Sequence, residues 1–473
     1  MFRKILIANR GEIALRVLRA CRDLGIPAVI AYSDIDRDSL PVMVADEAVC
    51  IGPAAAARSY NNIPAVISAA LVTGCDAIHP GYGFLAENAY LAEVCQRVGL
   101  KFIGPRPEVI ERMGNKAEAR RIMKAAGVPL LPGAEGVVSN VNDAHSIASE
   151  VGYPVVIKAV AGGGGRGMRV AHNEAELVHG FSIAQAEAEA AFGNGDVYLE
   201  RYLTRPRHVE VQVLGDEHGH VVALGERDCS LQRRHQKVLE EAPGPLLNRR
   251  VRDNLLKTAQ KGARSAGYTS AGTLEFLVDT DGKFYFMEMN TRIQVEHPVT
   301  EEVTGVDLVT WQIRIAAGEK LVLSDANQRA TGHSIEVRIT AEDATNDFSP
   351  SGGTVETFIA PGGPGVRVDS HLYSGYTIPT NYDSLLGKLI VWGKDRDEAV
   401  TRLERALRET VITGVKTTLP FHRALLADEQ FRRGDVHTAF IPEFLKRTDI
   451  SAFDTDDVHS DESIRESATT RHD

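Results

Sequence analysis

The first hundred residues or so alternate short apolar runs with helical periodicity, and this pattern restricts the possible folds more than any other feature. The run KILIA is followed by EIALRVLRACRDLG, in which apolar residues recur at helical spacing, and then by PAVIAY. Strand, helix and strand in this order form a β-α-β unit of a parallel sheet. The turn ANRGE between them lacks the glycine-rich dinucleotide fingerprint. The sequence therefore predicts a Rossmann-like domain without an NAD site.

Composition and charge argue against several classes of protein. Charged residues make up 25% of the chain, and no apolar run approaches the roughly 18 residues that a membrane span needs. The apolar stretch before Asn9 is too short for a signal-peptide core, so we expect a cytoplasmic protein. The net charge of −11 argues against a nucleic-acid partner. The five cysteines lack CxxC spacing, which favours free thiols over disulfides or a zinc site.

A predicted strand pair flanks a cluster of four glycines. Strands are predicted at 155–158 and 168–170, and Gly162 to Gly165 lie between them with Arg166. The P-loop pattern GxxxxGK[ST] is absent. Consecutive glycines let backbone N–H groups approach an anion closely, and Lys158 and Arg166 can neutralise phosphate charge. The pattern favours a flap over phosphates, and a plain flexible loop is the alternative.

The strongest chemical signal is an acidic hairpin within TLEFLVDTDGKFYFMEMNTRIQVEH, residues Thr273 to His297. Asp281-Gly282 predicts a two-residue type I′ turn in which Thr280 faces Lys283. Counting outward from this turn predicts the pairs Val278 with Tyr285, Phe276 with Met287, and Glu275 with Glu288. The two glutamates should therefore lie directly opposite each other.

Two carboxylates about 5 Å apart repel each other by roughly 3 kcal/mol at an effective dielectric constant near 20. A divalent cation, a shared proton or a basic side chain can offset this repulsion. Asn290 follows on the same face, and such oxygen ligands suit Mg²⁺ that bridges phosphates. A glutamate pair neutralised by Lys or Arg is the alternative. If the chain stays extended, Arg292, Gln294 and Glu296 continue this row, since strand side chains repeat every two residues.

Two further polar rows precede the hairpin in the sequence. In HVEVQVLGD, three valines alternate with His208, Glu210 and Gln212, which predicts one core face and one polar face. A solvated sheet surface explains this row as well as a binding site does. The segment ERDCSLQRRHQK is rich in Arg, His and Lys. This density suits bicarbonate or phosphate, and a basic surface cluster is the alternative.

Five strings of residues together resemble the biotin carboxylase family of ATP-grasp enzymes. They are IANRGEIALR, HPGYGFLAEN, GGGGRGMR, ERDCSLQRRHQK and MEMNTRIQVEHPVTE, and the resemblance covers almost all of residues 1 to 447. It implies an α/β fold, α+β overall, with a Rossmann-like N-terminal domain, an ATP-grasp core with a mobile lid, and a C-terminal α+β domain. We expect these at 1–113, at 114–330 with the glycine-rich lid at 131–203, and at 331–447. The acidic tail, 448–473, has too few apolar residues to offset ordering entropy and is predicted to be disordered.

The resemblance also implies a role for each residue that matches the family's motifs. The ATP contacts would come from Lys116, Lys158, Gly164, Gly165, Glu200, Leu203, His208, Gln232 and His235, and from Glu275 and Glu288. The Mg²⁺ or Mn²⁺ ligands would be Glu275, Glu288 and Asn290. Bicarbonate and biotin would contact Tyr82, Lys237, Arg292, Gln294, Val295 and Arg338. The catalytic residues would be Lys237 and Arg292, Glu296 as the general base, and Arg338, which stabilises the biotin enolate.

The activity that the resemblance implies is ATP- and bicarbonate-dependent carboxylation of biotin through carboxyphosphate, the first half-reaction of an acyl-CoA carboxylase. The chain has no Met-Lys-Met biotin-attachment sequence, so we expect a separate biotin carboxyl carrier protein, separate carboxyltransferase subunits and a homodimer. Ala161 precedes four glycines where some relatives have five. Two alternatives remain, namely another ATP-grasp ligase that makes an acyl phosphate and a non-catalytic regulatory homologue.

Overall fold

The computed structural model of the chain describes residues 1–134, 136–160, 168–323 and 329–454. Its N-terminal region alternates strands with helices, which are β1 (Ile5–Ile7), α1 (Gly11–Asp23), β2 (Ala28–Ser33), α2 (Leu40–Val44), β3 (Glu47–Gly52), α3 (Ile63–Val72), β4 (Ala77–His79), α4 (Ala89–Arg97), β5 (Lys101–Phe102) and α5 (Pro107–Gly114). The five strands form one parallel sheet in the order β3-β2-β1-β4-β5. The predicted Rossmann-like architecture is confirmed.

Burial and helix caps explain why the N-terminal residues form these elements. All three residues of β1 are fully buried, as expected for a parallel sheet with both faces covered. Helices α3 and α4 begin at asparagine caps, because Asn62 accepts a hydrogen bond from the amide of Ala65 and Asn88 accepts one from the amide of Leu91. Such caps satisfy amides that have no partner within the helix.

A small three-stranded sheet follows. Its region contains α6 (Lys116–Ala125), α7 (Val141–Val151), β6 (Val155–Ala159), β7 (Met168–Ala171), α8 (Glu174–Phe192) and β8 (Val197–Arg201). The strands are antiparallel in the order β7-β6-β8. The two strands predicted on either side of the glycine cluster are therefore confirmed. The cluster itself, with Gly164 and Gly165, lies outside the described residues.

An eight-stranded antiparallel sheet forms the centre of the molecule. Its first elements are β9 (Arg207–Gly215), β10 (Val221–Arg233), β11 (Gln236–Ala242), α9 (Arg249–Ser265), β12 (Ser270–Val278), β13 (Phe284–Asn290), α10 (His297–Thr304) and α11 (Leu308–Ala316). On β9, Val209, Val211 and Val213 face a core shared with α6 and α9. The opposite face carries His208, whose side chain borders a polar cavity.

The C-terminal region adds three strands to this central sheet. It contains β14 (His333–Thr340), β15 (Glu342–Asp343), β16 (Ser349–Pro350), β17 (Gly353–Thr354), β18 (Phe358–Ile359), β19 (Val366–Ser370), β20 (Thr377–Ile378), β21 (Leu385–Gly393), α12 (Arg396–Glu409), β22 (Val411–Ile412), α13 (Leu419–Ala427), α14 (Glu429–Arg432) and α15 (Phe440–Arg447). The sheet runs in the order β13-β12-β9-β10-β11-β14-β21-β19. Because β14 pairs with β11, the central and C-terminal regions share one continuous sheet.

The acidic hairpin keeps the predicted glutamate pair but not the predicted turn. Val278 pairs with Phe284 instead of Tyr285, while Glu275 still faces Glu288. The loop is wider because the Asp279 carboxylate accepts hydrogen bonds from the amides of Asp281 and Lys283, at 3.0 and 2.8 Å. Asp281 also lacks the positive φ that a type I′ turn needs, whereas Gly282 has a φ of 79°.

A bulge at Met287 restores the register between the turn and the glutamates. Phe276 pairs with Phe286, and the next pair is Glu275 with Glu288, so Met287 is the extra residue. The predicted pairs of Val278 with Tyr285 and of Phe276 with Met287 are therefore wrong. The predicted pair that carries the chemistry is confirmed.

Two further observations concern the lengths of the helices and the C-terminal end of the described part. Helices within the described ranges are all too short or too polar to cross a membrane. Ile450–Phe453 form a 3-10 helix, and Ile450 is buried. The predicted disorder therefore does not begin at 448, because an apolar side chain anchors the start of that segment, and 455–473 lie outside the described residues.

Candidate active site

A cavity of about 600 Å³ lies where the N-terminal region, the small sheet, the central sheet and the C-terminal region meet. The sequence-predicted residues that line it are Tyr82, Lys116, Lys158, Glu200, His208, Gln232, His235, Lys237, Glu275, Glu288, Asn290, Arg292, Gln294, Val295, Glu296 and Arg338. In the described part of the chain, Leu203 follows β8, is half-buried and does not line this cavity. The fold thus brings into one cavity side chains that are spread over more than 250 positions of the sequence.

Glu275 is held by polar side chains on both of its oxygens. Its Oε1 accepts hydrogen bonds from Asn290 Nδ2 at 2.8 Å, Gln294 Nε2 at 3.0 Å and Lys237 Nζ at 3.2 Å. Its Oε2 lies 2.9 Å from Nε2 of His208. Burial alone would raise the pKa of Glu275, yet Lys237 and His208 hold it well below its usual range. Glu275 is therefore ionised at neutral pH.

Glu288 stands in a different environment from its partner in the hairpin. Its side chain is exposed to the cavity, and within the described part of the chain it forms no ion pair. Desolvation by the cavity walls and repulsion by Glu275 raise the pKa of Glu288. Of the two carboxylates, Glu288 is thus the one that gains most from a cation placed in the cavity.

The oxygen atoms at this end of the cavity fit a hard divalent cation. Glu275 and Glu288 face each other across the hairpin, and Asn290 contacts Glu275 through its amide nitrogen. The amide oxygen of Asn290 accepts a long hydrogen bond of 3.4 Å from Arg292. Carboxylate and amide oxygens are the ligands that Mg²⁺ takes beside phosphates. Lys237 and His208 neutralise Glu275 in part, so a basic partner and a metal both fit the pair.

Lys237 connects Glu275 to two further carboxylates. Its side chain is 11% exposed, and Nζ lies 2.5 Å from Glu210 Oε2 and 2.5 Å from Glu296 Oε1. The other oxygen of Glu296 accepts a hydrogen bond of 2.9 Å from Arg338. Burial opposes the charge of Glu296, but Lys237 and Arg338 keep its pKa well below the ordinary value. An ionised carboxylate thus stands between two cations.

The backbone does not stay extended as far as Glu296. Strand β13 ends at Asn290, and α10 begins at His297 with Glu296 as its N-cap. The condition for the extended row is therefore not met after Asn290, because the chain turns to start the helix, although Arg292, Gln294 and Glu296 all line the cavity. Gln294 and Glu296 nevertheless reach Glu275 and Lys237.

The other end of the cavity is built from the small sheet and the β10–β11 hairpin. Lys158 Nζ lies 2.7 Å from Glu200 Oε2, and Gln232 Nε2 lies 2.9 Å from Nδ1 of His208. His235 is exposed in the hairpin turn, where it and Arg234 both have positive φ values of 65° and 50°. Such values are uncommon outside glycine and cluster at functional sites.

Several site residues were missed by the sequence reasoning. Glu87 accepts hydrogen bonds from Arg292 Nε at 3.0 Å and from the amide of Thr291 at 2.9 Å. Arg120 contacts Glu200 beside Lys158. Glu240 accepts a hydrogen bond of 2.7 Å from Arg338 Nε. No local periodicity marks these residues, since each acts through a partner that is distant in sequence.

The polar row on β9 and part of the basic cluster form one buried network. Arg227 is fully buried and donates to Glu210 at 2.5 Å, Gln212 at 2.8 Å and Thr300 at 2.9 Å. Glu210 in turn contacts Lys237. The solvated-surface alternative for this row is wrong, because His208, Glu210 and Gln212 are all buried.

Comparisons with known proteins agree with this arrangement. The family description "Biotin carboxylase, N-terminal domain" matches residues 1–110, "Carbamoyl-phosphate synthase L chain, ATP binding domain" matches 115–324, and "Biotin carboxylase C-terminal domain" matches 336–443. The chain is 56% identical to the biotin carboxylase of Nostoc sp. over 445 residues, which cover 94% of this chain and 100% of that protein.

Solved structures show the same likeness. The complex of Campylobacter jejuni biotin carboxylase with β,γ-ATP superposes with a TM-score of 0.89 at 48% identity, covering 94% of this chain and 99% of that one. The biotin carboxylase domain dimer of Hydrogenobacter thermophilus 2-oxoglutarate carboxylase, with MgADP, ADP and bicarbonate, gives 0.87 at 51% identity, covering 94% and 98%.

The parallel sheet, the central antiparallel sheet and the polar cavity define an ATP-grasp enzyme. Within that class, the matches extend over the N-terminal, ATP-binding and C-terminal regions alike. The chain belongs to the biotin carboxylase family.

Proposed function

We propose that this chain uses ATP and bicarbonate to carboxylate biotin carried on a separate protein, through carboxyphosphate. The observation that carries the proposal is the position of Glu296 between Lys237 and Arg338, next to the glutamate pair of the hairpin. An ionised base, an anion-binding lysine and an arginine at the mouth of a nucleotide cavity are the groups that this reaction needs.

The site residues divide into groups along the cavity. ATP would be bound by Lys116, Lys158, Glu200, His208, Gln232 and His235, with Gly164 and Gly165 of the lid over its phosphates. The role of Leu203 beside the adenine stays a prediction. Mg²⁺ or Mn²⁺ would be held by Glu275, Glu288 and Asn290, where it would neutralise charge on the phosphates. Bicarbonate and biotin would lie among Tyr82, Lys237, Arg292, Gln294, Val295 and Arg338.

The reaction follows from the chemistry of these groups. Glu296 accepts the hydroxyl proton of bicarbonate, whose oxygen attacks the γ-phosphorus of ATP and releases ADP. Lys237 and Arg292 stabilise the negative charge that develops on carboxyphosphate. Carboxyphosphate breaks into CO₂ and phosphate, and the phosphate removes the N1 proton of biotin. Arg338 then stabilises the biotin enolate while its N1 attacks CO₂.

Domains, partners and location complete the proposal. We infer an N-terminal domain at 1–113, an ATP-grasp domain at 114–330 with a lid at 131–203, and a C-terminal domain at 331–447. The partners would be a biotin carboxyl carrier protein, carboxyltransferase subunits and a second copy of the chain, in the cytoplasm. The dimer described for the Hydrogenobacter domain supports the last of these partners. Capture of a biotinylated protein by the tagged chain tests the carrier partner. The mass of the purified chain in solution tests the dimer.

ATP hydrolysis measured with bicarbonate, with and without free biotin, tests the activity. We expect turnover that requires bicarbonate and that biotin stimulates. A chain that hydrolyses ATP only when an amine acceptor is supplied would instead be a ligase that transfers an acyl phosphate. A folded chain that binds ATP without turnover would be a regulatory homologue.

A further inference from the structure

A second pair of opposed glutamates lies behind the catalytic arginine. In the pairing of β11 with β14, Glu240 stands directly opposite Glu336. Side chains at such opposed positions have Cβ atoms about 4.5–5.5 Å apart. Both glutamates are fully buried, with 0% of their surface exposed. The two carboxyl groups therefore share one small volume that water does not reach.

The hydrogen bonds of this pair are uneven. Oε1 of Glu240 accepts from Nε of Arg338 at 2.7 Å, and a terminal nitrogen of Arg338 lies 2.5 Å from the same oxygen. Within the described part of the chain, Glu240 Oε2 and both oxygens of Glu336 are buried without a hydrogen-bond partner. Buried polar atoms are nearly always satisfied. A proton held between the two carboxyl groups would provide the missing hydrogen bond.

The surrounding charges allow one negative charge on the pair but do not favour two. The groups around the pair are Arg338 from β14, Lys388 from β21, Lys237 from β11, and Glu296, with Glu12 and His297 beside Lys388. Lys388 is already engaged by Glu12 at 3.1 Å and by the carbonyl oxygen of Val295 at 2.9 Å. Arg338 is shared between Glu240 and Glu296. Desolvation raises the pKa of Glu240 to about 7 and that of Glu336 well above its usual value.

We propose that Glu240 and Glu336 form a carboxylate–carboxylic acid pair that shares one proton and, through Glu240, positions Arg338 for the biotin half of the reaction. Both are positioning residues, since neither lines the cavity among the described residues. The ionised Glu240 fixes the guanidinium in one orientation, and the protonated Glu336 donates to Glu240. The role of Arg338 in this inference rests on the proposed function, whereas the shared proton does not.

Two activities measured on the same variants separate positioning from folding. Glu240→Gln removes the charge that holds Arg338, so we expect kcat/KM for free biotin to fall about tenfold to a hundredfold, as for loss of a charge-assisted hydrogen bond. Bicarbonate-dependent ATP hydrolysis without biotin should fall much less, because Glu296 keeps its contact with Lys237 when Arg338 loses Glu240. Glu336→Leu should show the same selective loss, and Glu336→Gln should restore most of it, because an amide can donate to Glu240.

The matched control is Glu241→Gln, on the same strand. Glu241 is equally buried but faces the other side of the sheet, where it contacts His333 and Arg396. We expect this variant to lose stability without any selective change in the biotin activity. Equal losses of both activities in Glu240→Gln, or a Glu336→Gln no better than Glu336→Leu, would overturn the positioning role.

The pH dependence of the melting temperature tests the shared proton independently of activity. A carboxyl group with a raised pKa stabilises the fold at low pH, and this contribution is lost as the pH rises through its folded pKa. We expect the melting temperature of the wild type to fall as the pH rises from the ordinary carboxyl pKa of 4.5 through the folded pKa of Glu240, about 7, and Glu336→Gln to reduce this fall. An identical pH dependence in both proteins would refute the shared proton. A wild type without biotin-stimulated turnover would refute the proposed function alone.

Discussion

Replacement of Lys237 by methionine removes the cation to which three carboxylates of the site converge. Nζ of Lys237 lies 2.5 Å from Glu210, 2.5 Å from Glu296 and 3.2 Å from Glu275. Methionine keeps the length and much of the volume of the side chain, so the change isolates the charge. The variant leaves three negative groups in a space that is closed to solvent apart from the cavity.

The expected loss follows from the partners that remain. Removal of one member of a buried ion pair costs about 3–5 kcal/mol. Arg227 still contacts Glu210, and Arg338 still contacts Glu296. These contacts place the loss at the lower end, about 3 kcal/mol, which corresponds to roughly two pKa units distributed over the carboxylates.

The pH dependence of this loss has a definite sign. In the wild type Lys237 lowers the pKa of Glu275 and of Glu296. A carboxylate with a depressed pKa contributes stability above its unfolded pKa and loses it as the pH falls through the folded pKa. The difference between wild type and variant should therefore be full at pH 8 and should shrink only in acid, as the pH falls well below 4.5 towards the depressed folded pKa values.

Chemical denaturation followed by circular dichroism measures the difference, and bicarbonate-dependent ATP hydrolysis reports the function. Lys283→Met is the control, since its side chain is 68% exposed in the hairpin loop, and we expect a change within about 0.5 kcal/mol. The reasoning would be refuted by a Lys237→Met protein that loses less than about 1 kcal/mol or whose loss grows as the pH falls.

Three further changes test other parts of the site. Glu288→Gln should lower Mg-ATP turnover by about a hundredfold or more, because the amide cannot neutralise a divalent cation, while the melting temperature stays unchanged; near-normal turnover would contradict the metal assignment. Arg338→Lys should lower biotin carboxylation about tenfold or more, since lysine cannot contact Glu240 and Glu296 in a fork, and equal loss of biotin-free ATP hydrolysis would refute this role. Burial opposes the charge of Glu241, but His333 and Arg396 lower its pKa to about 2. Glu241→Gln should therefore lower the free energy of unfolding by about 3 kcal/mol at pH 7. Denaturation between pH 4.5 and pH 2 should show a flatter acid limb for this variant, and an unchanged limb would refute the assignment.

The hairpin shows how far sequence reasoning reached and where it stopped. The pairing of Glu275 with Glu288 followed from counting outward from Asp281-Gly282, and it is confirmed. The turn is nevertheless different, because the Asp279 side chain bonds to backbone amides and widens the loop. The bulge at Met287 then corrects the count by one residue. Periodicity cannot reveal such compensating shifts, because the Asp279 side chain widens the loop and the bulge lies beside Phe286, whose amide bonds to the carbonyl of Pro129, far away in the sequence.

The sequence pattern could not predict, for a different reason, that the polar side chains on β9 are buried. An alternation of valine with His208, Glu210 and Gln212 describes a strand with a polar face, whatever covers that face. Arg338 arrives from a strand whose pairing joins positions about a hundred residues apart. The pair of Glu240 with Glu336 depends on the same long-range register, and no local signal predicts it.

The site is held by a series of side chains whose charges alternate in sign. The series runs from Arg227 through Glu210, Lys237, Glu296 and Arg338 to Glu240, and each carboxylate between the ends contacts a cation on either side. Burial of charges is tolerated only when each is paired in this way. Because Arg338 comes from β14 and the other members come from the central region, the ion pairs of Arg338 with Glu296 and Glu240 form only when the central and C-terminal regions share one sheet. The electrostatic requirement of the site and the continuity of the sheet are therefore one constraint, and this is why Glu296, with its depressed pKa, can stay ionised in a closed interior.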